Sequence, residues 1–300
     1  MIAPETKTKN YRISHTTHYR YSSAVSVCHN VIMLSPQPTN LLECRDHRLN
    51  IRPVPGIVHE RNDMFGNRIA RFSLEESHTQ LTITAVSQVT VRSRDLAGTD
   101  QTPTCGAVAA GITEQTDPNW LQVVPFLHDS PRIQRSSEFA EYAQPCLAEN
   151  RSIFEAATDL TKKIYDEFTY DKNATLVDTP TKKAFAGRHG VCQDFAHIAV
   201  ACLRSHGLPA RYVSGYLRTI PPEGKERLVG ADQSHAWVSV YCGQNLGWID
   251  FDPTNDCVCD TDHVPIAVGR DYSDVVPIKG VFLGGGDPAL TVTVDVLPED

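Results

Sequence analysis

A chain of 300 residues can build one large hydrophobic core or two ordinary ones, and the order of strand and helix signals here predicts two. With 41% hydrophobic residues, 21% charged and no apolar run near the roughly 18 residues needed to cross a bilayer, the composition is that of a soluble globular protein and gives no membrane-spanning helix. A formal charge of −8, with no lysine/arginine-rich stripe interleaved with aromatics, argues against nucleic-acid partners.

The polar opening, residues 1–10, lacks the apolar core of a secretory signal. Nine cysteines without a CxxC pair fit a reducing compartment better than a disulfide framework. The expected location is therefore cytoplasmic, with most thiols buried.

In chain order, residues 11–92 carry strand signals: 19–21, 69–74 and 81–86 alternate or are rich in β-branched and aromatic residues. Asp63-Met64-Phe65-Gly66-Asn67 reads as a hairpin connection, and Pro53-Val54-Pro55-Gly56 as a second interruption. Residues 1–95 are accordingly expected to form a β-rich, sandwich-like N-terminal domain. A stretch poor in large apolar side chains, 93–117, and a short helix within 136–149 make residues 96–150 a connector and helical segment. The rest, 151–300, is expected to form the main α+β core with a C-terminal strand.

That core opens with a helix on which Ile153, Phe154, Ala157, Leu160, Ile164 and Phe168 recur near helical spacing. A second helix follows Gly190-Val191, with Phe195, Ile198, Ala199, Cys202 and Leu203 on one face, and His206-Gly207-Leu208-Pro209 stops it. Strands at 211–217, 236–241 and 247–252 form an antiparallel set, and 290–297 is a late strand. The fold class is α+β, a nucleophile-bearing helix packed on an antiparallel sheet.

Cys192 sits where the loop turns into that second helix. A thiol attacks as its thiolate, and the partial positive charge and free N–H groups of a helix N-terminus favour that form. A thiolate nucleophile needs a basic partner, and that partner needs a third group to orient it. His235 begins a strand 43 residues on, and Asp252 ends the next strand 17 residues after that. Asp250, on the same strand face, is the alternative orienting carboxylate; Asp252 itself also fits a plain turn before Pro253.

Gly-Val-Cys-Gln-Asp-Phe-Ala-His, Gly-Leu-Pro-Ala-Arg-Tyr-Val-Ser-Gly-Tyr-Leu, Ser-His-Ala-Trp-Val and Gly-Trp-Ile-Asp-Phe-Asp-Pro-Thr-Asn together resemble the bacterial transglutaminase-like superfamily, which includes cysteine proteases. The likeness covers about residues 153–255. Residues 11–92 resemble the β-rich domain that accompanies this core, and 270–286 resemble its usual ending. The resemblance implies a papain-like triad of Cys192 as nucleophile, His235 as general base and acid, and Asp252 as orienting partner. It further implies acyl transfer from an amide through a thioester, leaving the acceptor open among water and amines.

For the oxyanion, the Cys192 backbone N–H is one expected donor, with the Tyr170 hydroxyl or the Gln193 side chain as a second. Trp237 and Trp248 are candidates for lining an acyl-donor groove or for plain core packing. The cluster of Asp256, Cys257, Cys259, Asp260, Asp262 and His263 lacks zinc-site or EF-hand spacing and reads as a solvated loop, so neither metal nor cofactor is expected. His197, about 500 degrees around the helix from Cys192, is expected to pack. The expected partner is a peptide or protein substrate carrying an amide, with no nucleic acid and no membrane. The leading reading is a protease, peptidase or amidase; the alternatives are glutamine–lysine cross-linking and a noncatalytic scaffold with the same fold.

Overall fold

A computed structural model describes residues 7–96, 99, 102–219 and 233–299. Five antiparallel strands come first: β1 (Thr8–Ile32), β2 (Leu42–Arg52), β3 (Val58–Asn62), β4 (Arg68–Leu74) and β5 (His78–Arg92), in spatial order β2-β5-β1-β4-β3. β1 organises them. Its side chains alternate so that Tyr11, Ile13, His15 and Thr17 are buried while their neighbours are not. β5 and then β4 run consecutively along one of its edges, with a register break between Arg20 and Val25. The sandwich-like outline is thus one sheet curled around Tyr21, Val25, Phe72, Leu74, Leu81 and Ile83. The hairpin between β3 and β4 turns at Gly66, whose φ of 85° suits glycine.

Next come α1 (Cys105–Thr113), α2 (Trp120–Val123), α3 (Ser137–Ala143) and α4 (Ile153–Glu167). α1 lies in the stretch read as connector. Thr104 caps it by accepting the Ala107 N–H at 3.2 Å, and Cys105, Val108 and Ile112 bury one narrow face, so small residues rather than large ones make this helix. After the short strand β6 (Thr169–Tyr170) come α5 (Thr181–Gly187), β7 (His189–Gly190) and α6 (Cys192–Ser205).

α6 packs beneath a five-stranded antiparallel sheet of β8 (Ala210–Leu217), β9 (Gln233–Tyr241), β10 (Trp248–Asp252), β11 (Cys257–Val258) and β12 (His263–Gly269), ordered β11-β10-β9-β8-β12. The apolar stripe predicted for α6 understates its burial, since every residue from Gln193 to Arg204 is buried. Helices close over its other side. Arg204 is tolerated there because its guanidinium donates to the carbonyls of Phe126, His128, Ala210 and Arg270 at 2.7–3.1 Å.

The last strands, β13 (Ile278–Gly284) and β14 (Pro288–Glu299), leave the core and pair in succession with the second edge of β1. The two sheets meet where Tyr11, Ile13, Val89 and Val91 pack on Tyr216 and Val264. Asn67, fully buried, clamps the join by donating to the Val268 carbonyl at 2.7 Å and accepting its N–H at 2.8 Å. Among the described residues, no helix is long and apolar enough to cross a membrane.

Candidate active site

Cys192 is the first residue of α6, reached through a tight approach. Asp194 turns back so that its Oδ2 accepts the Val191 N–H at 2.9 Å and the Thr175 hydroxyl at 2.6 Å. A Cβ on Gly190 would stand 2.6 Å from that same oxygen, so only glycine fits. The Cys192 N–H takes part in no hydrogen bond among the described residues and remains available at the helix start. Burial raises the thiol pKa of each of the other eight cysteines, at 28, 44, 105, 146, 202, 242, 257 and 259.

His235 is 9% exposed, and its Nε2–H donates to Asp252 Oδ2 at 2.7 Å. That leaves Nδ1 as the ring's other site. Burial pulls the imidazole pKa down, but the Asp252 hydrogen bond and the Cys192 thiol outweigh it and raise the value to about 10. Asp252 is fully buried. Its burial opposes ionisation, yet hydrogen bonds from His235, His263 and Asn255 hold it well below the usual carboxylate range. Oδ2 takes all three, with His263 Nε2 at 3.0 Å and Asn255 Nδ2 at 2.6 Å, while Oδ1 takes the Thr254 N–H at 2.8 Å. One side chain thus both accepts the turn N–H of Thr254 and holds the His235 ring.

The His235, Asp252 and His263 ligand atoms lie within 4.8 Å of one another, the spacing of a metal site. Each imidazole nevertheless spends its Nε2–H on the carboxylate, and the arrangement is that of a hydrogen-bonded row.

Cys192 and His235 share a cavity of about 360 Å³. Much of its wall is apolar and comes from afar: Tyr19 from β1, Leu290 and Val292 from β14, and Tyr212 and Tyr272 from the core. His15 and Thr17 of β1 complete it. His15 is held by the Tyr216 hydroxyl at 2.8 Å and the Thr17 hydroxyl at 3.0 Å, and burial lowers its pKa to about 4.

Residues 11–90 match the bacterial transglutaminase-like N-terminal region, and residues 140–253 match the transglutaminase-like superfamily. An uncharacterized protein of Mycobacterium tuberculosis is 38% identical over 98% of this chain and 95% of its own length. The chain belongs to the transglutaminase-like superfamily. A second uncharacterized relative, from Mycobacterium leprae, is 30% identical over 95% of this chain and 97% of that protein. A protein-glutamine gamma-glutamyltransferase of Pseudomonas aeruginosa is 29% identical over 45% of this chain and 20% of its own. A crystal structure named "Putative Cysteine Protease from Cytophaga hutchinsonii" superposes with a TM-score of 0.76 at 23% identity, covering 98% of this chain and 92% of that one, and so shares the fold.

Within this transglutaminase-like core, the other expected site residues take different places. Tyr170 is 42% exposed on β6 with its ring against Phe195; burial and the nearby Cys192 thiol raise its pKa, although it is not among the residues lining the cavity. The Gln193 side chain does line it, but its Nε2 donates to the Val177 carbonyl at 3.0 Å. Trp237 and Trp248 line a different cavity, on the sheet face turned toward the N-terminal domain. The Trp237 indole covers Gly215, where a Cβ would come within 2.4 Å, and donates to Asp250 Oδ2 at 2.9 Å. Asp250, the alternative orienting group, is thereby committed to Trp237.

His197 packs on Tyr212 and accepts the Tyr272 N–H at 3.1 Å. The 256–263 segment is less solvated than expected: Asp262 binds Lys9 at 2.9 Å and Tyr11 at 2.7 Å, and His263 enters β12 and is buried. His263, Asn255 and His15 were not readable as site residues. His263 and His15 reach the site through strand pairing distant in sequence, and Asn255 through the turn that follows Asp252; the sequence marks position 263 only as part of a loop.

Proposed function

We propose that the chain is a cysteine-dependent amide hydrolase, a peptidase or amidase acting through an acyl-thioester on Cys192. What supports this reading is one observation: His235 is fixed by the ionised Asp252 at Nε2 and interacts electrostatically with the Cys192 thiol. The Cys192 thiolate attacks the amide carbonyl, and the Cys192 N–H stabilises the oxyanion. The His235 imidazolium passes its proton to the departing amine as the C–N bond breaks. Water then attacks the thioester, His235 takes its proton, and the carboxylic acid leaves with the thiol restored.

The alternative acceptor is an amine, as the name of the similar Pseudomonas aeruginosa protein indicates for that enzyme. Ammonia release and incorporation of a labelled amine, measured together on a library of glutamine- and asparagine-containing peptides, separate the two. Hydrolysis predicts acid product without amine incorporation, and both signals vanish in Cys192→Ala. A noncatalytic scaffold predicts no product and slow, uniform alkylation of all nine cysteines by iodoacetamide. The proposed enzyme is alkylated at Cys192 first.

A further inference from the structure

One wall of the Cys192 cavity is a ladder of cross-strand pairs from the N-terminal sheet. Where β1 and β14 line it, Thr17 stands opposite Val292 and Tyr19 opposite Leu290, with His15 opposite Val294 at the buried end. Exposure rises along the ladder. His15, Thr17 and Val294 are 2–3% exposed, whereas Val292 is 46% and Leu290 56% exposed. Two aliphatic side chains thus stand half-open to solvent in the same cavity as the thiol, and an open apolar patch of this kind marks a place for an apolar ligand.

Tyr212, Tyr272 and Ile278 extend the apolar lining. The rings are braced: Tyr212 meets Tyr272 edge-on at 6.3 Å, and Tyr19 stacks on Tyr21 at 6.2 Å. None of the described residues lining the cavity is an aspartate, glutamate, lysine or arginine, and Arg132, although stacked on Tyr272, is not among them. His15 has both ring nitrogens taken by the Tyr216 and Thr17 hydroxyls, and burial keeps it neutral. A charged substrate side chain entering here would lose its water and meet no countercharge beyond the Cys192–His235 pair. An apolar one gains by the same loss of water.

The volume of about 360 Å³ is near the lower end of the roughly 300–1,000 Å³ of ligand clefts, and suits one large side chain beside the reacting carbonyl. We propose that the ladder of Thr17, Tyr19, Leu290 and Val292 is the acyl-donor subsite, and that it selects peptides whose attacked carbonyl belongs to a large apolar residue, phenylalanine or leucine. This rests on the acyl-thioester reading of Cys192 and adds the substrate class to it. The acyl residue stays on Cys192 until water releases it, so a wall beside the thiol acts on both steps. The core carries Cys192, His235 and Asp252, whereas the selecting wall belongs to the N-terminal sheet.

The test is alkylation of Cys192 by acetyl-Ala-Ala-X chloromethyl ketones, with X as Phe, Leu, Lys or Glu. Rates are read by intact mass on the full chain and divided by those with free cysteine, with Cys192→Ala as the blank. The Phe and Leu reagents are expected to react about tenfold faster, or more, than the Lys and Glu reagents. Leu290→Asp and Val292→Asp, both toward the exposed end of the ladder, are expected to remove that lead and to favour Lys over Glu. Equal rates for all four reagents overturn the proposal, as does a Phe lead that survives in both variants as folded protein. Hydrolysis of the matching peptidyl coumarin amides separates the subsite from the reaction it rests on. Turnover without preference for Phe and Leu overturns the subsite alone, whereas preference in alkylation without turnover upholds the subsite and overturns the hydrolase.

Discussion

Asp252 holds four donors, two of them imidazoles, and this makes it the side chain on which the proposed site depends most. Asp252→Asn keeps the shape but cannot orient both rings as acceptor alone. Turnover of a peptide amide is expected to fall about a thousandfold, while substrate binding changes little. His263 does not line the Cys192 cavity and meets the proposed site at Asp252, the place of a positioning residue. His263→Gln, which retains a donor, is expected to keep most of kcat, whereas His263→Phe lowers kcat about tenfold at unchanged KM and shifts the acid limb of the pH profile. The raised pKa of His235 has its own signature. The folded value of about 10 exceeds the ordinary 6.5, so the stabilisation from the charged ring is complete below about pH 6.5 and is lost as pH rises through about 10. Urea midpoints of wild type and His235→Gln between pH 7 and 10.5 check this, because the variant lacks that decline.

The start of α6 is held by Gly190 and Asp194 rather than by a polar cap residue, since Val191 has no side-chain oxygen to offer. Gly190→Ala pushes a methyl onto the Asp194 carboxylate and is expected to cost about 2 kcal/mol and to slow Cys192 alkylation at the same time. A loss of stability with alkylation unchanged would separate the helix start from thiol presentation. This element was legible in the sequence. The helix starts at Cys192, where the loop signal ends, and the stop at His206-Gly207 corresponds to the αL glycine at φ 72°. What periodicity missed had a physical cause in each case. α1 is built from small residues that carry little hydrophobic signal, and the all-round burial of α6 hides behind polar residues such as Arg204 and His197 that are satisfied internally.

At the scale of the whole molecule, β1 supplies both the docking face of the N-terminal sheet and a wall of the Cys192 cavity. His15 on that strand and His197 on α6 are both kept neutral by burial, at about 4 and about 3. Folded values below the ordinary 6.5 mean that the unfolded chain binds more protons in acid. Stability is therefore expected to fall as pH drops from about 6.5 toward 4, by up to about 3 kcal/mol for His15 alone. His15→Gln should flatten that decline in urea titrations at pH 7 and 4.5. The two sequence-matched regions and the α+β class are readable because they rest on local patterns. The alliance of β1 with β13 and β14 was not, since nothing local reports that residues some 280 positions apart lie in register.

That pairing sets an order of events during synthesis. Residues 288–299 leave the ribosome after Cys192, His235 and Asp252 have all been made, and only then do Leu290 and Val292 reach the cavity. A nascent chain therefore carries its thiol, imidazole and carboxylate beside an unfinished cavity wall, and that wall is completed only with the closing strand.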